Sequence, residues 1–530
     1  MSLYLTKSLN IPLGSSKQAV QKKLCKLMGI KPDSLLSFRL HKQSVDARNK
    51  ADVHFVCSYV ADVDTVPRNA TPYSQPVNVT ETAPSVSNKT SCVIVGSGPS
   101  GLFAALYLTR CGVDVTVIER GADIDERAQK VQAFFDGGDL DEHTNVQFGL
   151  GGAGTFSDGK LTTGISSPLT FTVFDEFVKH GAPQSILTDA LPHIGTDKLK
   201  TVVASMRDSI MSNGGRFMFK TDVTGIIAEN GVCKGVEIST NGKNEKLLAD
   251  KVILACGHSA RELFFALHGS GVQMQFKPFA VGLRIEHKRE FINTAQYGKL
   301  FAAHRDLGSA SYKLVNKCAS GRGCYSFCMC PGGVVVAATS KTGAVVVNGM
   351  SDYARMADNS NSAIVVTVSA QDIAKAGFGQ DAFSGVRFQQ HLEQLAFKLG
   401  GGNFIAPCQN ASDFVQNRLS SNFVIAPSYP RGVLSADLRR LFPESFADDI
   451  AESLVSFDRK IKGFVNGGVL CGVESRTSSP VKIVRNASFQ SNIANLYPVG
   501  EGAGYAGGIV SAAVDGLKTA MAIIETLTDV

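Results

Sequence analysis

Residues 92–101 read Cys-Val-Ile-Val-Gly-Ser-Gly-Pro-Ser-Gly, so a short apolar run leads directly into glycines spaced as Gly-x-Gly-x-x-Gly. A helical pattern of apolar residues follows as far as Gly112, and a second apolar run, 113–118, ends at Glu119. A strand, a glycine turn, a helix, a second strand and a terminal acid form, in this order, the fingerprint of a dinucleotide-binding βαβ unit. The sequence therefore predicts a Rossmann-like α/β core that begins at residue 91.

Each glycine of this turn has its own task. Gly96 permits the tight turn, Gly98 lets the backbone approach a pyrophosphate, and Gly101 lets the helix pack closely on the strand. The first helical turn adds free N–H groups and a partial positive charge, which favour phosphate. The predicted cofactor-binding residues of this turn are Gly96, Ser97, Gly98, Pro99, Ser100 and Gly101.

The acid at the end of the second strand indicates how the nucleotide is held. Glu119 lies 18 residues after Gly101, close to the spacing of the acid that accepts hydrogen bonds from the adenosine ribose hydroxyls. An acid at this point disfavours a 2′-phosphate. We include Glu119 and its neighbour Arg120 among the cofactor-binding residues.

Three later segments favour FAD over NAD. The first is the glycine-rich stretch 149–160, which has no apolar strand before it and no helical pattern after it. We interpret it as a loop that wraps the cofactor through Gly151 and Gly152, because long loops seldom lack a role. A plain glycine-rich surface loop is the alternative.

The second segment runs from Asp222 through a hairpin to a strand, 251–257, that ends in small residues. Such a strand end fits a chain that passes beside a dinucleotide. The candidate cofactor contacts in this segment are Val223, Ala255 and Gly257.

The third segment, 496–509, returns to a strand and a glycine-rich turn far along the chain, and a helix through Leu517 follows it. A simple NAD domain has no reason for such a late return, whereas FAD is long enough to reach a distant helix N-terminus. That helix dipole would stabilise negative charge on the reduced ring. The candidate residues are Gly500, Glu501, Gly507, Gly508 and Ile509.

Composition shifts divide the chain into five segments. A stretch rich in Pro, Ser, Thr and Asn separates a small unit from the βαβ pattern, and strand-like runs dominate the later middle of the chain. The predicted segments are a basic β-α-β-β unit (1–65), a linker (66–90), the first part of the FAD-binding domain (91–274), a β-rich substrate or cap domain (275–475) and the C-terminal return of the FAD-binding domain (476–530).

The N-terminal unit carries most of the positive charge. Residues 1–65 hold ten Lys or Arg and five Asp or Glu, while the whole chain has a net charge of +6. Its predicted helix is capped by Ser15 or Ser16 and ends at Gly29. The charge points to an acidic partner, RNA among them, but a solvated helix face explains it as well. Oligomeric state is not predicted.

Composition also bounds the compartment and the chemistry. The chain has 530 residues, 52 of them glycine and 12 of them cysteine. It contains no apolar run long enough for a membrane span and no secretory signal pattern, so we expect thiols in a reducing, cytoplasmic environment. No cysteine or histidine spacing fits a common metal site, so no metal is predicted.

With these motifs in place, the chain resembles the flavoproteins classed as FAD-dependent dehydrogenases of unassigned substrate. The resemblance covers nearly the whole chain and implies FAD, a two-lobed glutathione-reductase-like core and an oxidoreductase, with no substrate. Glu501 departs from the pattern, since many related flavoproteins have Asp in the late Gly-Asp pair that meets the ribityl chain. The shared segments are 44–48, 149–161, 257–261, 277–282, 327–333, 348–351 and 476–480.

Four side chains are candidates for catalysis. Cys328 and Cys330 would point the same way on a strand and could face the flavin as a thiol pair. Cysteines that pack as small hydrophobic residues are the alternative that packing favours. Lys160 and Arg476, like His258 and Arg261, could anchor an anionic substrate or the flavin, or could only cap a turn.

A polar run in the middle of the chain is not among the candidates for catalysis. Arg284, Glu286 and His287 alternate on a strand-like segment, and we predict a solvated or interdomain face for them.

These features predict an FAD-dependent oxidoreductase that passes hydride between flavin N5 and a small-molecule substrate, bound between the dinucleotide core and the β-rich domain. The chain lacks a second complete fingerprint for NAD(P)H. A flavin-containing RNA-modifying or RNA-binding protein and a non-catalytic, redox-sensing flavoprotein remain as alternatives.

Overall fold

The computed structural model describes residues 2–86 and 90–528. Residues 87–89, which belong to the predicted linker, and the terminal residues 1, 529 and 530 lie outside the described residues. The described chain forms a small N-terminal unit, a domain built on a parallel sheet and a domain built on an antiparallel sheet.

The N-terminal unit is a five-stranded antiparallel sheet packed on one helix, α1 (Lys17–Met28). Ser16 accepts a hydrogen bond from the Ala19 amide, and Gly29 ends the helix at φ 64°, so both predicted caps are confirmed. The predicted acidic or RNA partner of this unit stays a prediction. Its strands are β1 (Ser2–Thr6), β2 (Leu9–Pro12), β3 (Leu35–Asp46), β4 (His54–Val63) and β5 (Ala70–Pro72).

The segment predicted as a linker is more ordered than its composition suggests. Strand β5 pairs with β1, and further along Asn78 and Thr80 are buried. Their side chains donate hydrogen bonds to Glu176 over 2.7 and 2.6 Å. The partners that order this segment lie in distant elements, which its own composition cannot reveal.

The parallel-sheet domain has five parallel strands in the order β24-β12-β6-β7-β8, which confirms the Rossmann-like core. Side chains of the first strand alternate between two cores: Cys92 and Ile94 face one, Val93 and Val95 the other. The strands are β6 (Ser91–Val95), β7 (Asp114–Ile118), β8 (Arg216–Met218), β12 (Lys251–Leu254) and β24 (Leu496–Pro498).

Helices cover one face of this sheet, and a three-stranded antiparallel sheet with α6 covers the other. The antiparallel strands are β9 (Thr221–Glu229), β10 (Val232–Thr240) and β11 (Lys243–Leu248). The helices of the domain are α2 (Pro99–Arg110), α3 (Ile124–Phe135), α4 (Leu169–Lys179), α5 (Thr196–Ser212), α6 (Arg261–Gly269) and α12 (Ile509–Thr528).

The antiparallel-sheet domain is built on seven strands in the order β15-β16-β19-β14-β22-β20-β21, of which only β20 and β21 run parallel. A hairpin of β17 and β18 lies beside it, and β13 pairs with β23 at the junction of the two domains. The strands are β13 (Met274–Phe276), β14 (Phe279–Lys288), β15 (Val315–Lys317), β16 (Gly323–Cys330), β17 (Val334–Ala337), β18 (Val347–Met350), β19 (Asn359–Val368), β20 (Ala406–Asn410), β21 (Val433–Ser435), β22 (Val469–Glu474) and β23 (Val481–Ile483).

Five helices accompany these strands, although the sequence pattern indicated only the strands. Val281, Leu283 and Ile285 of β14 enter the large core that the longer helices cover. The helices are α7 (Arg289–Tyr297), α8 (Ala370–Lys375), α9 (Ser384–Leu399), α10 (Ala411–Val415) and α11 (Glu444–Lys460). Among the residues described, no helix is both long and apolar enough to span a bilayer.

Glycines allow the first and last helices of the parallel-sheet domain to touch. A Cβ on Gly101 would lie 2.0 Å from the carbonyl oxygen of Gly96, so α2 can approach β6 only without a side chain there. A Cβ on Gly516 of α12 would lie 2.1 Å from the carbonyl oxygen of Ser100. The C-terminal helix therefore packs directly on the first turn of α2.

We expect Gly516→Ala to destabilise the protein by about 1–3 kcal/mol, because the added methyl group must push α12 away from α2. The measurement is the thermal unfolding midpoint of the purified variant. Gly269→Ala is the matched control, since a Cβ on Gly269 meets no atom within 4 Å. An unchanged midpoint for Gly516→Ala would contradict the close approach of the two helices.

Candidate functional site

A cavity of about 730 Å³ lies between the parallel-sheet and antiparallel-sheet domains. This volume is within the range of pockets that hold cofactors and other small ligands. Most predicted cofactor-binding residues line it: Gly96, Ser97, Gly98, Pro99, Ser100, Glu119, Arg120, Gly152, Val223, Ala255, Gly257, Glu501, Gly507, Gly508 and Ile509. Of the predicted catalytic residues, Lys160, Cys328 and Arg476 line it as well.

Three predicted glycines lie behind the cavity wall instead of on it. Gly101 packs against Gly96, and the Gly151 amide donates to the Ser97 carbonyl oxygen over 2.9 Å. The Gly500 amide donates to Asp515 over 2.8 Å. Their part is to bring the backbone segments of the wall together.

The fingerprint turn and the loop 149–160 form one wall. A Cβ on Gly152 would lie 3.0 Å from the Cα of Gly98, so the two backbones touch. A Cβ on Gly98 would meet nothing closer than the Gly152 Cα at 4.0 Å, which leaves the cavity in front of Gly98 open. The N-terminus of α2, capped by Gly98, provides N–H groups at this place.

Glu119 holds the fingerprint turn, 96–101, in place through hydrogen bonds. Its Oε2 accepts hydrogen bonds from the amide and hydroxyl of Ser97 over 3.0 and 2.6 Å. Its Oε1 accepts from the amides of Gly121 and Gly149, each over 2.9 Å. One carboxylate at the cavity edge therefore joins the fingerprint turn to the start of the wrapping loop.

Next to it, Arg120 lies over the Phe148 ring at 4.9 Å and pairs with Asp222 at 2.5 Å. Arg120, Phe148 and Asp222 all line the cavity. They form an edge with both charge and a flat apolar surface, which suits a nucleoside.

The start of α12 forms the opposite end of the same wall. A Cβ on Gly507 or Gly508 would meet no atom within 4 Å, so backbone alone faces the cavity there. A Cβ on Gly154 would lie 3.2 Å from the Cγ1 of Ile509. The two glycine clusters, far apart in sequence, therefore border one cavity.

The antiparallel-sheet domain contributes the facing wall through Cys328, Asn348 and Glu474. Strand β16 contains a bulge between Phe327 and Cys330, and Cys328 has a φ of 44°. Bulges often redirect a side chain next to a functional site. Here the bulge places Cys328 on the cavity, while Cys330 is fully buried behind it.

Arg284 lies behind this wall and connects several of its residues. The prediction that it belongs to a solvated or interdomain face is wrong as regards exposure to solvent. Arg284, Glu286 and His287 are fully buried, because β14 is a central strand with a neighbour on each side. The Arg284 guanidinium donates to Glu474 over 2.9 Å. Its other hydrogen bonds reach the Cys328 carbonyl oxygen at 3.2 Å, Asn361 at 2.6 Å and Asn348 at 3.1 Å.

A second buried ion cluster holds Arg476. Arg476 and Arg261 both pair with Glu393, at 2.9 and 2.8 Å. Arg476 also donates to the hydroxyls of Ser259 and Ser340 over 3.0 and 2.7 Å. Its guanidinium thus lies at the cavity with a counter-ion, Glu393, that it shares with Arg261.

His258 lies on the same side of the cavity. Burial lowers its pKa to about 3, and the charges of Arg476 and Arg261 act in the same direction. This imidazole is therefore neutral at physiological pH and can accept or donate a hydrogen bond but carries no charge.

Lys160 lies between the wrapping loop and the facing wall. Its ammonium donates to the Met329 carbonyl oxygen and lies 3.8 Å from Asp158. Arg355 pairs with the same buried carboxylate at 2.6 Å. Although burial alone would raise it, Lys160 and Arg355 hold the pKa of Asp158 below its usual range.

Glu501 contributes a carboxyl group to the lining of the cavity. Burial raises the pKa of Glu501 to about 7, with Lys277 acting against the shift and Cys328 adding to it. Residues whose pKa is shifted by burial inside a cleft often mark a functional centre.

Sequence reasoning missed Asp158, Asn348 and Glu474 as cavity residues. Asp158 and Asn348 belong to segments quoted for the family resemblance, and that position was the available signal. Glu474 gave no signal, because only the pairing of β14 with β22 brings it beside Arg284.

Family models match most of the chain. Two models described as FAD binding domains match residues 89–132 and 124–282. A model described as an FAD-dependent protein, C-terminal domain-like, matches residues 278–477, and a domain of unknown function, DUF8436, matches residues 6–61.

A protein of Clostridium beijerinckii, described as an uncharacterized protein, is 42% identical over 535 residues, and the match covers 98% of each chain. Among solved structures, a triple mutant of the flavin-dependent brominase Bmp2 matches at a TM-score of 0.39 and 12% identity, over 82% of this chain and 80% of that one. A geranylgeranyl bacteriochlorophyll reductase-like protein of Thermoplasma acidophilum matches at a TM-score of 0.37 and 12% identity, over 83% and 79%. These structural likenesses are too distant to inform on substrate.

The residues of the cavity fit FAD. Backbone lines the wall at Gly98, Gly507 and Gly508, so an extended pyrophosphate and a ring can approach it closely. Helix N-termini lie at both of these places, and they favour the phosphate and the electron-rich ring.

Gly98→Val should fold but lose most of its flavin, because its side chain would extend into the open cavity. We expect an unchanged thermal midpoint of the apoprotein and a colourless purified variant. The measurement is the ratio of visible flavin absorbance to protein. A variant that keeps a normal flavin content would contradict the position of the pyrophosphate.

Proposed function

We propose that this chain, which belongs to one family with the Clostridium beijerinckii protein and matches models of FAD-binding domains, is an FAD-dependent oxidoreductase that passes hydride between flavin N5 and a small substrate held against the antiparallel-sheet domain. The proposal rests on the cavity that lies between the parallel-sheet and antiparallel-sheet domains. Its one wall is the fingerprint turn and the start of α12, and its other wall contains Cys328, Asn348 and Glu474.

The first wall is suited to hold the cofactor, which supplies hydride acceptance and donation at its ring when bound. The Gly98 turn would hold the pyrophosphate, and Glu119, which accepts four hydrogen bonds from the protein, would keep the turn and the wrapping loop in place around the nucleotide. The backbone at Gly507 and Gly508 would lie along the ring.

The second wall is suited to hold a substrate. Lys160, Arg284 and Arg476 place positive charge along it, but each has a carboxylate within 4 Å: Asp158, Glu474 and Glu393. Two of these carboxylates also pair with a further arginine, Asp158 with Arg355 and Glu393 with Arg261, so the wall keeps a net positive charge. Such a wall suits a polar or anionic substrate.

Glu501 would hold and release the proton that accompanies hydride transfer. A group with a pKa near the working pH is the most effective proton carrier in general acid–base catalysis. Glu501 lies at the cavity, and burial raises its pKa to about 7.

The direct test is anaerobic mixing of the yellow holoprotein with a panel of reduced compounds: NADH, NADPH, dithiols, hydroxy acids and amines. We expect at least one class to bleach the flavin within seconds to minutes. Gly98→Val mixed with added FAD is the control for reactions of free flavin. Failure of every class, while dithionite still bleaches the flavin, would support a non-catalytic flavoprotein instead.

The pH profile of this bleaching tests Glu501. As a base it acts in its ionised form, which is populated above its pKa, so the bleaching rate should fall about tenfold per pH unit below pH 7. In Glu501→Gln this acid limb should disappear, with flavin content as the control for binding. An identical limb in the variant would exclude Glu501 as the proton carrier.

A further inference from the structure

Cys328 and Cys330 lie at the only irregular point of strand β16. The pairing with β19 shifts by one residue between Phe327 and Cys330, and Cys328 occupies the left-handed region at φ 44°. A non-glycine residue in that region costs free energy and is retained mainly where surrounding contacts or function require it. The bulge leaves the two side chains adjacent, with one on the cavity and one behind it.

Hydrogen bonds join the two cysteines to each other and to one cation. The Cys330 thiol donates to the Cys328 carbonyl oxygen over 3.3 Å, and Arg284 Nη1 donates to the same oxygen over 3.2 Å. Arg284 Nη1 is 4.0 Å from the Cys330 sulfur. Gly349 closes the space behind, since a Cβ there would lie 2.8 Å from the Cys330 sulfur.

The charges around Cys328 favour its thiolate. The hydrogen bond from Cys330 lowers the pKa of Cys328, and Lys160 and Arg284 lower it further against the effects of burial and Asp158. Glu474 and Glu501 also face Cys328. The same hydrogen bond raises the pKa of Cys330, so the proton of the pair stays on Cys330.

Other cysteines of the described chain lack this combination. Cys408 and Cys471 face each other across β20 and β22, but both are fully buried and neither lines the cavity. Cys256 lines the cavity, but burial raises its pKa to about 12. Only Cys328 joins access to the cavity with an adjacent second thiol among the residues described.

We propose that Cys328 and Cys330 form a dithiol–disulfide couple that passes electrons from an external dithiol to the flavin. This inference rests on the proposed oxidoreductase function and names its substrate class.

The electrons and atoms balance in two steps. First, the Cys328 thiolate and the Cys330 thiol would join in one S–S bond and release two electrons and one proton, the equivalent of the hydride that bound FAD would accept. Next, one thiolate of the external dithiol attacks the Cys328 sulfur, and Cys330 leaves and takes the proton of the second external thiol. The second external thiolate then attacks its own partner sulfur, so that Cys328 leaves as thiolate and the external dithiol becomes a disulfide.

The first test counts electrons. In an anaerobic dithionite titration of the air-oxidised holoprotein, the wild type should take up twice as many electrons per flavin as Cys328→Ser or Cys330→Ser. Cys324→Ala, on the same strand but in the core of the domain, is the control and should match the wild type. Equal uptake by the wild type and Cys328→Ser would overturn the couple.

The second test uses dithiothreitol as the probe dithiol. It should bleach the wild-type flavin at least about tenfold faster than the flavin of either serine variant, as expected when a positioned thiolate is removed. Bleaching at equal rates would show direct reduction of the flavin and would exclude the relay.

A third measurement needs no variant. Peptide mapping of wild-type apoprotein after brief alkylation at a series of pH values should show Cys328 modified at a lower pH than an ordinary thiol, whose pKa is about 8.5. Modification of Cys328 only above that pH would contradict the proposal.

The outcomes separate this inference from the proposed function. If substrates bleach the flavin but electron uptake is equal, the oxidoreductase stands and the couple fails. If uptake is doubled but no compound other than dithionite bleaches the flavin, the two thiols form a redox couple, but the relay from an external dithiol and the proposed function both fail.

Discussion

Ser100 and Gly516 meet without a side chain between them, and the arrangement of the cofactor site depends on this contact. It fixes the C-terminal helix α12 against the first turn of α2, while β24 beside β12 fixes the strand that precedes it. Because Gly96, Gly101 and Gly516 each exclude a side chain by close backbone contact, the glycine turn at 96–101 and the one at 500–508 come to border one cavity. A Rossmann unit alone would hold only the nucleotide end of a cofactor; the returning helix provides a place for its ring.

The opposite wall depends on buried charges that are paired inside the protein. Arg284 with Glu474, and Arg261 and Arg476 with Glu393, are all nearly inaccessible to solvent. Buried pairs of this kind add little net stability, because desolvation offsets much of their attraction. Removing one partner nevertheless destabilises the protein, because it leaves an unpaired buried charge. Their effect here is positional: Arg284 holds the Cys328 carbonyl oxygen and Asn348 in place, and Glu393 holds Arg476 at the cavity.

Local sequence was sufficient for features whose causes are local. The strand at 91–95, the glycine turn, the caps of α1 and the hairpin after Asp222 follow from spacing and backbone preference, and all are present. The predictions that were wrong concern features that depend on long-range pairing. The segment 70–86 is ordered by contacts with β1 and Glu176, and Arg284 is buried because β14 is a central strand. Cys328 and Cys330 were predicted to point the same way on a regular strand, and this is wrong. The bulge, which no residue type in the segment indicates, puts Cys328 on the cavity and Cys330 behind it.

We infer that one FAD molecule spans both glycine clusters and reaches the wall at Cys328. Hydrogen exchange of the apoprotein, measured with and without added FAD, is the decisive measurement. FAD should protect the amides of 96–101, 150–154, 507–511 and 327–330 together. Protection of 96–101 alone, with the other three segments exchanging at their apoprotein rates, would contradict it.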